Sequence, residues 1–450
     1  MAALGAFAGM SFVRPTVFRT ILTGGRYFDG TGWVTGPIGI TDDGLMQLLP
    51  AVPEGVQTID VSGKIIAPGF IDILADNALN PDRTYRIFEK YKVSDGVTTS
   101  LQMHGGNEKV GSYYNRFAAL PHHVNFGVST FVMRIRNAYP QLRDRLRVVE
   151  QNLNDGALGV SHSIEYQPTP YPEVVSYARL AKKYDRPFFL HLRYSSEGQE
   201  LEGVDEAIRI ARETGVRLHI DHLHSTGGTF HMSQALSMIR SANAEGQQIT
   251  CCVYPYSFWA TYLHSKRFDE GWRKRYGLDY NDLRLVGSGE RLTEASFARY
   301  RKEMRLVAVP EGTMPMDKTI DLALKEDFCM IGSDGGIEYE PRANSHPRGA
   351  GCFATAIRHG LDIGMKLEDI LARVTSRPAA LITPAMKGRG AIANGNMADL
   401  VVFDETTING KASVENPNQF SAGISLVFVN GKIAFRDGAP GEAAGKPIRY

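Results

Sequence analysis

Eight short apolar runs, separated by longer amphipathic stretches, recur through the middle of this 450-residue chain and limit its fold more than any other feature. Alternation of this kind predicts βαβ units and a parallel sheet. Eight such units close into a (β/α)₈ TIM-type barrel, in which functional groups lie at the carboxyl ends of the strands. The predicted strands cover residues 65–75, 98–104, 124–130, 157–162, 187–192, 217–223, 250–254 and 328–333.

Both ends of the chain have a different pattern, of short alternating strands between Gly, Asp and Pro residues. The last of them form a predicted hairpin on Asn430 and Gly431, a dipeptide typical of tight two-residue turns. Strands at both ends of a mixed centre predict a small β-sandwich built from the two termini. We therefore expect residues 1–64 and 386–450 in the sandwich and residues 65–385 in an α/β barrel.

A long insert, at about residues 263–325, separates the seventh and eighth predicted barrel strands. A connection of this length is more typical of a lid or cap than of a linker. It is rich in Arg, Lys, Tyr and Glu, and we interpret the basic residues as a solvated helical face.

Composition restricts the possible partners and the compartment. The formal net charge of +1 gives no sign of a nucleic-acid patch or a membrane surface. Residues 1–13 have no basic start and are too short to span a bilayer. The four cysteines, Cys251, Cys252, Cys329 and Cys352, form no Cys-x-x-Cys pair and are expected in the core of a protein from a reducing compartment. We expect a cytoplasmic protein with a small-molecule substrate, and a homo-oligomer is compatible with the sequence.

Residues able to bind a metal or move a proton stand at the ends of six predicted strands. Convergent imidazoles and carboxylates at a barrel mouth suit zinc, which binds nitrogen and oxygen ligands and keeps one position open for water. The metal activates that water and polarises a carbonyl, and a nearby carboxylate can carry the proton. The six residues are Asp76, His104, His162, His191, His222 and Asp334.

An ordered set of short motifs resembles the N-acyl-D-amino-acid deacylase (D-aminoacylase) branch of the amidohydrolase superfamily. The resemblance covers nearly the whole chain after about residue 20. Each motif is short, but their order is specific. The motifs are Pro-Gly-Phe-Ile-Asp at 68–72, Gly-Val-Thr-Thr at 96–99, Gly-Ala-Leu-Gly-Val-Ser at 156–161, His-Leu-Arg at 191–193, Asp-His-Leu at 221–223, Val-Tyr-Pro-Tyr at 253–256, Gly-Ser-Asp-Gly at 332–335, His-Pro-Arg at 346–348 and Ala-Asp-Leu-Val-Val-Phe-Asp at 398–404.

The resemblance implies roles for particular side chains. His191 and His222 match metal-binding histidines, and Asp334 matches the strand-eight aspartate that acts as general base and metal-site carboxylate. Tyr166 and Tyr254 match tyrosines that line the substrate pocket. We also predict a substrate contact from Arg193 of the His-Leu-Arg motif.

The chain departs from the family pattern at five positions. The family's His-x-His pair is replaced by Leu74 and Asp76, so a second metal loses at least one ligand; we predict Asp76 as a ligand. No cysteine follows Gly-Val-Thr-Thr, and we predict that His104 replaces the family's cysteine ligand. The substrate lysine is His224 here, which leaves the recognition of a carboxylate open. His162 takes a serine-like position and is predicted to contact substrate, as is His224.

The sequence therefore predicts a metal-dependent amidohydrolase that cleaves the C–N bond of an N-acyl amino acid or related amide. We expect one divalent ion, zinc, in its site. Two alternatives stay open at this point. The first is altered chemistry on the same fold, either hydrolysis of a cyclic amide or a lyase or isomerase reaction. The second is an inactive homologue with a binding role.

Overall fold

The computed structural model describes residues 17–75, 81–309, 312–336 and 346–450. The predicted N-terminal extension and Asp76 lie outside these residues. The chain begins with seven short strands. They are β1 Phe18–Thr23, β2 Arg26–Phe28, β3 Trp33–Thr35, β4 Ile38–Thr41, β5 Met46–Leu48, β6 Thr58–Asp60 and β7 Ile65–Pro68.

A parallel eight-stranded barrel follows, and it confirms the predicted fold. The strands pair in the order of the chain, and the backbone N–H of Asp334, after the last strand, donates to the carbonyl oxygen of Leu74, after the first, at 2.8 Å. The strands are β8 Phe70–Asp72, β9 Val97–Asn107, β10 Asn125–Phe131, β11 Val160–Ser163, β12 Phe188–His191, β13 Leu218–Ile220, β14 Ile249–Val253 and, after three strands of the insert, β18 Cys329–Ile331.

Helices cover the outside of the barrel, so most of its strands are buried on both faces. Leu101 and Met103 of β9 contact Phe189 of β12, Cys252 of β14 and Met330 of β18 within one apolar cluster, which fills the barrel interior. The helices are α1 Pro81–Ser94, α2 Val110–Phe117, α3 Val132–Ala138, α4 Leu142–Asn154, α5 Tyr171–Lys183, α6 Glu200–Thr214, α7 Met232–Ala244, α8 Trp272–Tyr276, α9 Glu294–Lys302, α10 Ile320–Ala323, α11 Arg348–Asp362, α12 Leu367–Val374 and α13 Ser376–Leu381.

The first predicted barrel strand, residues 65–75, was wrong in one respect: it is two strands in two sheets. The strand β7 pairs with N-terminal and C-terminal strands, whereas β8 belongs to the barrel. Pro68 has no backbone N–H to continue the ladder. At Gly69, a Cβ atom would lie 2.1 Å from the Thr98 hydroxyl, so only glycine allows this close crossing between the two sheets.

The insert forms a folded cap, by which we mean residues 259–309. Its three strands, β15 Ala260–Tyr262, β16 Arg284–Leu285 and β17 Leu306–Ala308, form an antiparallel sheet with β17 in the centre. Its aromatic side chains form a core in which Phe268 lies 5.4 Å from Trp272 and Trp272 lies 5.5 Å from Phe297 between ring centroids. The expectation of a lid or cap agrees with this structure.

The C-terminal strands complete the small domain. They are β19 Leu400–Phe403, β20 Ile424–Val429, β21 Lys432–Arg436 and β22 Ala439–Pro440. A seven-stranded sheet joins them to β7, β2 and β3, and a second sheet contains β5, β4, β1 and β6. Asn430 and Gly431 have φ values of 49° and 77°, as a type I′ hairpin requires. The sandwich of both termini is confirmed, and its predicted bounds stay a prediction.

Two further expectations concern the whole chain. All four cysteines are free and buried, as expected for core residues. Across the described ranges, no helix has the length and apolar character needed to cross a membrane.

Candidate active site

Three histidines from three barrel strands converge at the carboxyl end of the barrel. His104 lies in β9, His191 ends β12, and His222 follows β13 by two residues. One ring nitrogen from each can be chosen so that all three lie within 4.8 Å of one another, and Nδ1 of His191 is 3.2 Å from Nε2 of His222. Three imidazole nitrogens at this spacing form a donor set of the kind that binds zinc and similar divalent metals.

Two of these rings donate a hydrogen bond to a carboxylate. Nδ1 of His104 donates to Oδ2 of Asp221 at 2.8 Å, and Nε2 of His191 donates to Oε2 of Glu165 at 2.8 Å. Metal-binding histidines usually donate their second ring N–H to such a partner, which fixes the tautomer and the ring plane. Both rings therefore present the opposite nitrogen from the one that their carboxylate holds.

His222 is positioned by an uncommon backbone conformation. Its φ is +30°, in the left-handed region that non-glycine residues rarely adopt. Its Nδ1 lies 3.0 Å from the Ser225 hydroxyl, and its backbone N–H donates to the sulfur of Cys252 at 3.2 Å. Asp334 is also left-handed, with a φ of +48°. Strain of this kind is concentrated at functional sites, where the surrounding fold holds it in place.

The protonation state of the histidines suits a metal. Burial lowers the pKa of His191, and the nearby His104 and Arg267 lower it further, although Glu165 opposes the shift. Burial also lowers the pKa of His222 well below its usual value, with added repulsion from the other two imidazoles. Both rings are therefore neutral near pH 7, and a neutral imidazole is the form that binds a metal. The residues present fit a divalent ion.

Glu165 is the centre of a buried charge network. Its carboxylate accepts hydrogen bonds from His191, from the Ser195 hydroxyl and from Nη2 of Arg267, the last at 3.1 Å. Burial alone would raise the pKa of Glu165, but Arg267 and the bond from His191 hold it well below the usual range. The carboxylate therefore stays ionised behind the histidine cluster.

Asp334 faces the histidines from the end of the last strand. Its Oδ2 lies 4.0 Å from Nε2 of His222 and forms an ion pair with Nη2 of Arg348 at 2.8 Å. The same guanidinium lies over the ring of Tyr254, 4.6 Å from its centroid. This arrangement orients one carboxylate beside the metal-binding nitrogens, where it can take a proton from a bound water.

The site opens into a cavity of about 400 Å³ whose walls combine aromatic and cationic groups. Tyr166 and Tyr254 line it close to the histidines. The cap contributes Lys266 and Arg267, and Arg348 comes from α11. Among the described residues that line this cavity, Asp334 is the only carboxylate. Two of these three cations are paired with carboxylates, Arg267 with Glu165 and Arg348 with Asp334.

The amidohydrolase family matches residues 90–434, which is well over half of the chain. The chain belongs to the amidohydrolase family.

Individual relatives show which members of the amidohydrolase family this chain resembles. It is 27% identical over 500 residues to an N-acyl-D-glutamate deacylase of Alcaligenes xylosoxydans xylosoxydans, covering 95% of this chain and 96% of the relative. It is 28% identical over 488 residues to a D-aminoacylase of the same organism, covering 96% and 97%. The structure of an N-acyl-D-glutamate deacylase from Bordetella bronchiseptica, complexed with zinc and a phosphonate inhibitor, superposes with a TM-score of 0.82 at 25% identity, over 96% of this chain and 100% of that one.

These matches confirm the predicted D-aminoacylase branch and an enzyme that hydrolyses carbon–nitrogen bonds other than peptide bonds. They favour neither altered chemistry nor an inactive homologue. They also support a divalent metal as cofactor.

Three of the predicted substrate contacts, His162, His224 and Arg193, do not line this cavity, and their contact with substrate stays a prediction. His162 is buried with Nε2 2.8 Å from the Thr169 hydroxyl, and burial lowers its pKa to about 3. His224 is buried against the edge of Tyr254, 4.1 Å between ring centroids, and burial lowers its pKa to about 3. Arg193 is held at 2.7 Å by both oxygens of Glu206. Local hydrogen bonds and packing turn these side chains away from the cavity.

Sequence reasoning missed much of the support around the histidines. Asp221 and Arg348 stood in recognised motifs, next to His222 and after His346, but no role was given to them. Glu165 accepts the hydrogen bond from His191, a role that the sequence pattern did not indicate. Arg267 was taken for part of a solvated face, yet its side chain is only 5% exposed. The pattern around Arg267 contained no signal of burial.

Proposed function

We propose that this amidohydrolase removes the acyl group from N-acyl-D-amino acids with one bound zinc ion. The observation that carries the proposal is the convergence of His104, His191 and His222 beside Asp334. These three histidines would hold the ion, and Asp334 is close enough to complete the site. The D configuration is proposed from two relatives, the N-acyl-D-glutamate deacylase and the D-aminoacylase, since both names refer to D-amino-acid derivatives.

A bound divalent ion supplies Lewis acidity, which polarises the amide carbonyl and lowers the pKa of a water molecule. The protein then has to orient the substrate and move protons. Asp334 is proposed to accept the proton of the attacking water and deliver it to the leaving nitrogen. Arg348 forms an ion pair with the same carboxylate at 2.8 Å, which restricts its orientation.

Tyrosines of the cavity wall are proposed to steady the polarised carbonyl. Burial raises the pKa of Tyr166 to about 12, and burial likewise raises the pKa of Tyr254. Both phenols therefore keep their protons at neutral pH. A phenol O–H directed at the developing oxyanion contributes to its stabilisation, because such donors are already oriented before the reaction.

The cationic side chains of the cavity support an acidic substrate. Arg348 and Arg267 are buried in the wall, whereas Lys266 is exposed at the cap side. An N-acyl amino acid carries at least one carboxylate, which an ammonium group can bind as a point charge. Because Arg267 and Arg348 are already paired with Glu165 and Asp334, we propose that Lys266 of the cap supplies the recognition lost with the family's lysine.

The proposal of one ion depends on Leu74. Its side chain is fully buried at a position where the family has a metal-binding histidine, and it offers no donor atom. The second candidate ligand of that pair, Asp76, lies outside the described residues and stays a predicted ligand. Three histidines would hold a single tetrahedral ion and leave its fourth position open for water, with Asp334 beside it.

The test is a matched set of N-acetyl-D-amino and N-acetyl-L-amino acids with acidic, neutral and basic side chains, given to zinc-loaded protein. Release of free amine should be confined to D substrates and should be greatest with acidic or neutral side chains. Turnover of L substrates at equal rates would contradict the proposed stereochemistry. No release from any member, with zinc bound at one ion per chain, would contradict the proposed reaction.

A further inference from the structure

Arg267 of the cap reaches the supporting residues of two of the three histidines. Its Nη2 donates to Oε2 of Glu165 at 3.1 Å and to the backbone carbonyl oxygen of Ser225 at 3.1 Å. The two acceptors lie 102 and 42 residues earlier in the chain. One nitrogen of a buried side chain therefore joins two segments that are far apart in sequence.

Each of these acceptors in turn holds a histidine. The same Oε2 of Glu165 accepts from Nε2 of His191 at 2.8 Å. The hydroxyl of Ser225 lies 3.0 Å from Nδ1 of His222. Arg267 binds the Glu165 carboxylate that holds the His191 ring. It also binds the backbone of Ser225, whose hydroxyl lies beside the His222 ring. Arg267 therefore restricts the orientation of both rings.

The cap holds Arg267 firmly. Its guanidinium lies 4.8 Å from the centroid of Trp259. The next residue, Phe268, belongs to the aromatic core of the cap, 5.9 Å from Phe297 between ring centroids. Arg301 donates to the carbonyl oxygen of Phe268 at 2.9 Å. The position of the guanidinium is therefore determined by the folding and docking of the cap as a unit.

We propose that Arg267 is a positioning residue for the metal site and that docking of the cap sets the affinity for the ion. The inference rests on the metal ligands of the proposed function. Residues behind metal-binding histidines contribute about tenfold to a hundredfold to metal affinity, because they fix ring planes and tautomers. A side chain that supports two such partners should have an effect of at least that size. Lysine cannot fully replace it, because an ammonium group is a point charge without the planar fork of a guanidinium.

The test measures zinc affinity of the full chain by competition with a chromophoric chelator, without substrate. Arg267→Met should weaken zinc binding by about tenfold or more, and Arg267→Lys should recover part of the loss. The matched control is Arg273→Met, because Arg273 belongs to the same cap but is 54% exposed and paired with Asp279. Affinity equal in the Arg267→Met and Arg273→Met variants would overturn the proposal.

A second measurement distinguishes positioning from loss of fold. Glu165→Gln should weaken zinc binding, and the double variant Arg267→Met/Glu165→Gln should lose less than the product of the two single losses, because both act through one contact. Cobalt substituted for zinc should have an altered visible absorption spectrum in Arg267→Lys, which keeps the charge and the fold. Multiplicative losses together with an unchanged cobalt spectrum would refute the role.

The two proposals fail in different ways. A wild-type chain that binds no zinc would contradict the proposed metal site. A wild-type chain that binds zinc, with unchanged affinity in the Arg267 variants, would contradict only the role of the cap residue. Circular dichroism would show whether Arg267→Met folds. If it does not fold, the zinc affinities of Arg267→Lys and Glu165→Gln test the role of Arg267 instead.

Discussion

Replacing Lys92 with methionine should destabilise the barrel far more than a surface lysine replacement. Lys92 on α1 is 1% exposed, and its ammonium lies 2.7 Å from Oδ2 of Asp72, whose side chain is fully buried. Asp72 also accepts from the hydroxyl of Ser333 at 2.5 Å and from the backbone N–H groups of Ser333 and Leu74 at 3.0 and 3.1 Å. The pair therefore joins the first and last barrel strands at the residue before Asp334.

The expected magnitude follows from burial. In Lys92→Met, three donors still contact Asp72, but no charge balances the carboxylate inside the barrel. Loss of one partner from a buried ion pair destabilises by about 3–5 kcal/mol, because the remaining charge stays out of water. Removal of both charges in Lys92→Met/Asp72→Asn should recover a large part of that loss, since asparagine keeps a carbonyl oxygen for the backbone donors.

Urea unfolding of the metal-free protein, followed by circular dichroism, measures these changes. The control is Lys183→Met, whose partner Glu150 is equally close at 2.6 Å but whose side chain is 64% exposed; its unfolding midpoint should not change measurably. If Lys92→Met lowers the free energy of unfolding by less than about 1 kcal/mol, or if the double variant is no more stable than Lys92→Met, the argument from burial is refuted.

Four other variants test the site and the core. Asp334→Asn should lower turnover by about a hundredfold or more at full metal occupancy; near-normal turnover on the true substrate would remove Asp334 from proton transfer. His104→Ala should weaken metal binding, whereas His162→Ala should leave it intact, and equal retention in a chelator competition would show that His104 is not a ligand. Burial raises the pKa of Asp95 to about 7 against opposing hydrogen bonds from Ser421 and two amides of α11. The folded state therefore keeps this proton longer than the unfolded state, and a stabilisation of roughly 4 kcal/mol is lost as the pH rises from about 4 through 7. Asp95→Asn should flatten that slope in urea unfolding of the metal-free protein, and an unchanged slope would contradict the assignment.

Much of the frame could be predicted from local pattern. Strands of a parallel barrel are buried on both faces, so each is a short continuous apolar run, and turn residues mark their ends. The carboxyl ends of such strands meet at one mouth. For this reason the sequence alone predicted that His104, His191, His222 and Asp334 lie together at the mouth of the barrel. The turn at Asn430 could be predicted from the dipeptide Asn430-Gly431, which is typical of tight hairpin turns.

The direction of individual side chains could not be predicted in the same way. His162 and His224 stand in the same strand-end segments as the convergent histidines, yet both are buried outside the cavity wall. A shift of one residue reverses the face on which a strand residue lies. The left-handed backbone of His222 and Asp334 changes the direction of their side chains again. This conformation is held by hydrogen bonds from the backbone N–H of His222 to the sulfur of Cys252 and from that of Asp334 to the carbonyl oxygen of Leu74.

The sequence by itself therefore determined the barrel, the sandwich of both termini and the convergence of metal-binding residues, because these follow from local periodicity and from the geometry of parallel strands. Only the tertiary structure decided which groups support the histidines. Glu165, Asp221 and Arg267 are ordinary charged residues in the sequence, and 102 residues separate the first from the third. Their roles arise from burial: a charge removed from water must find a partner, and the partner is set by the packing of distant segments.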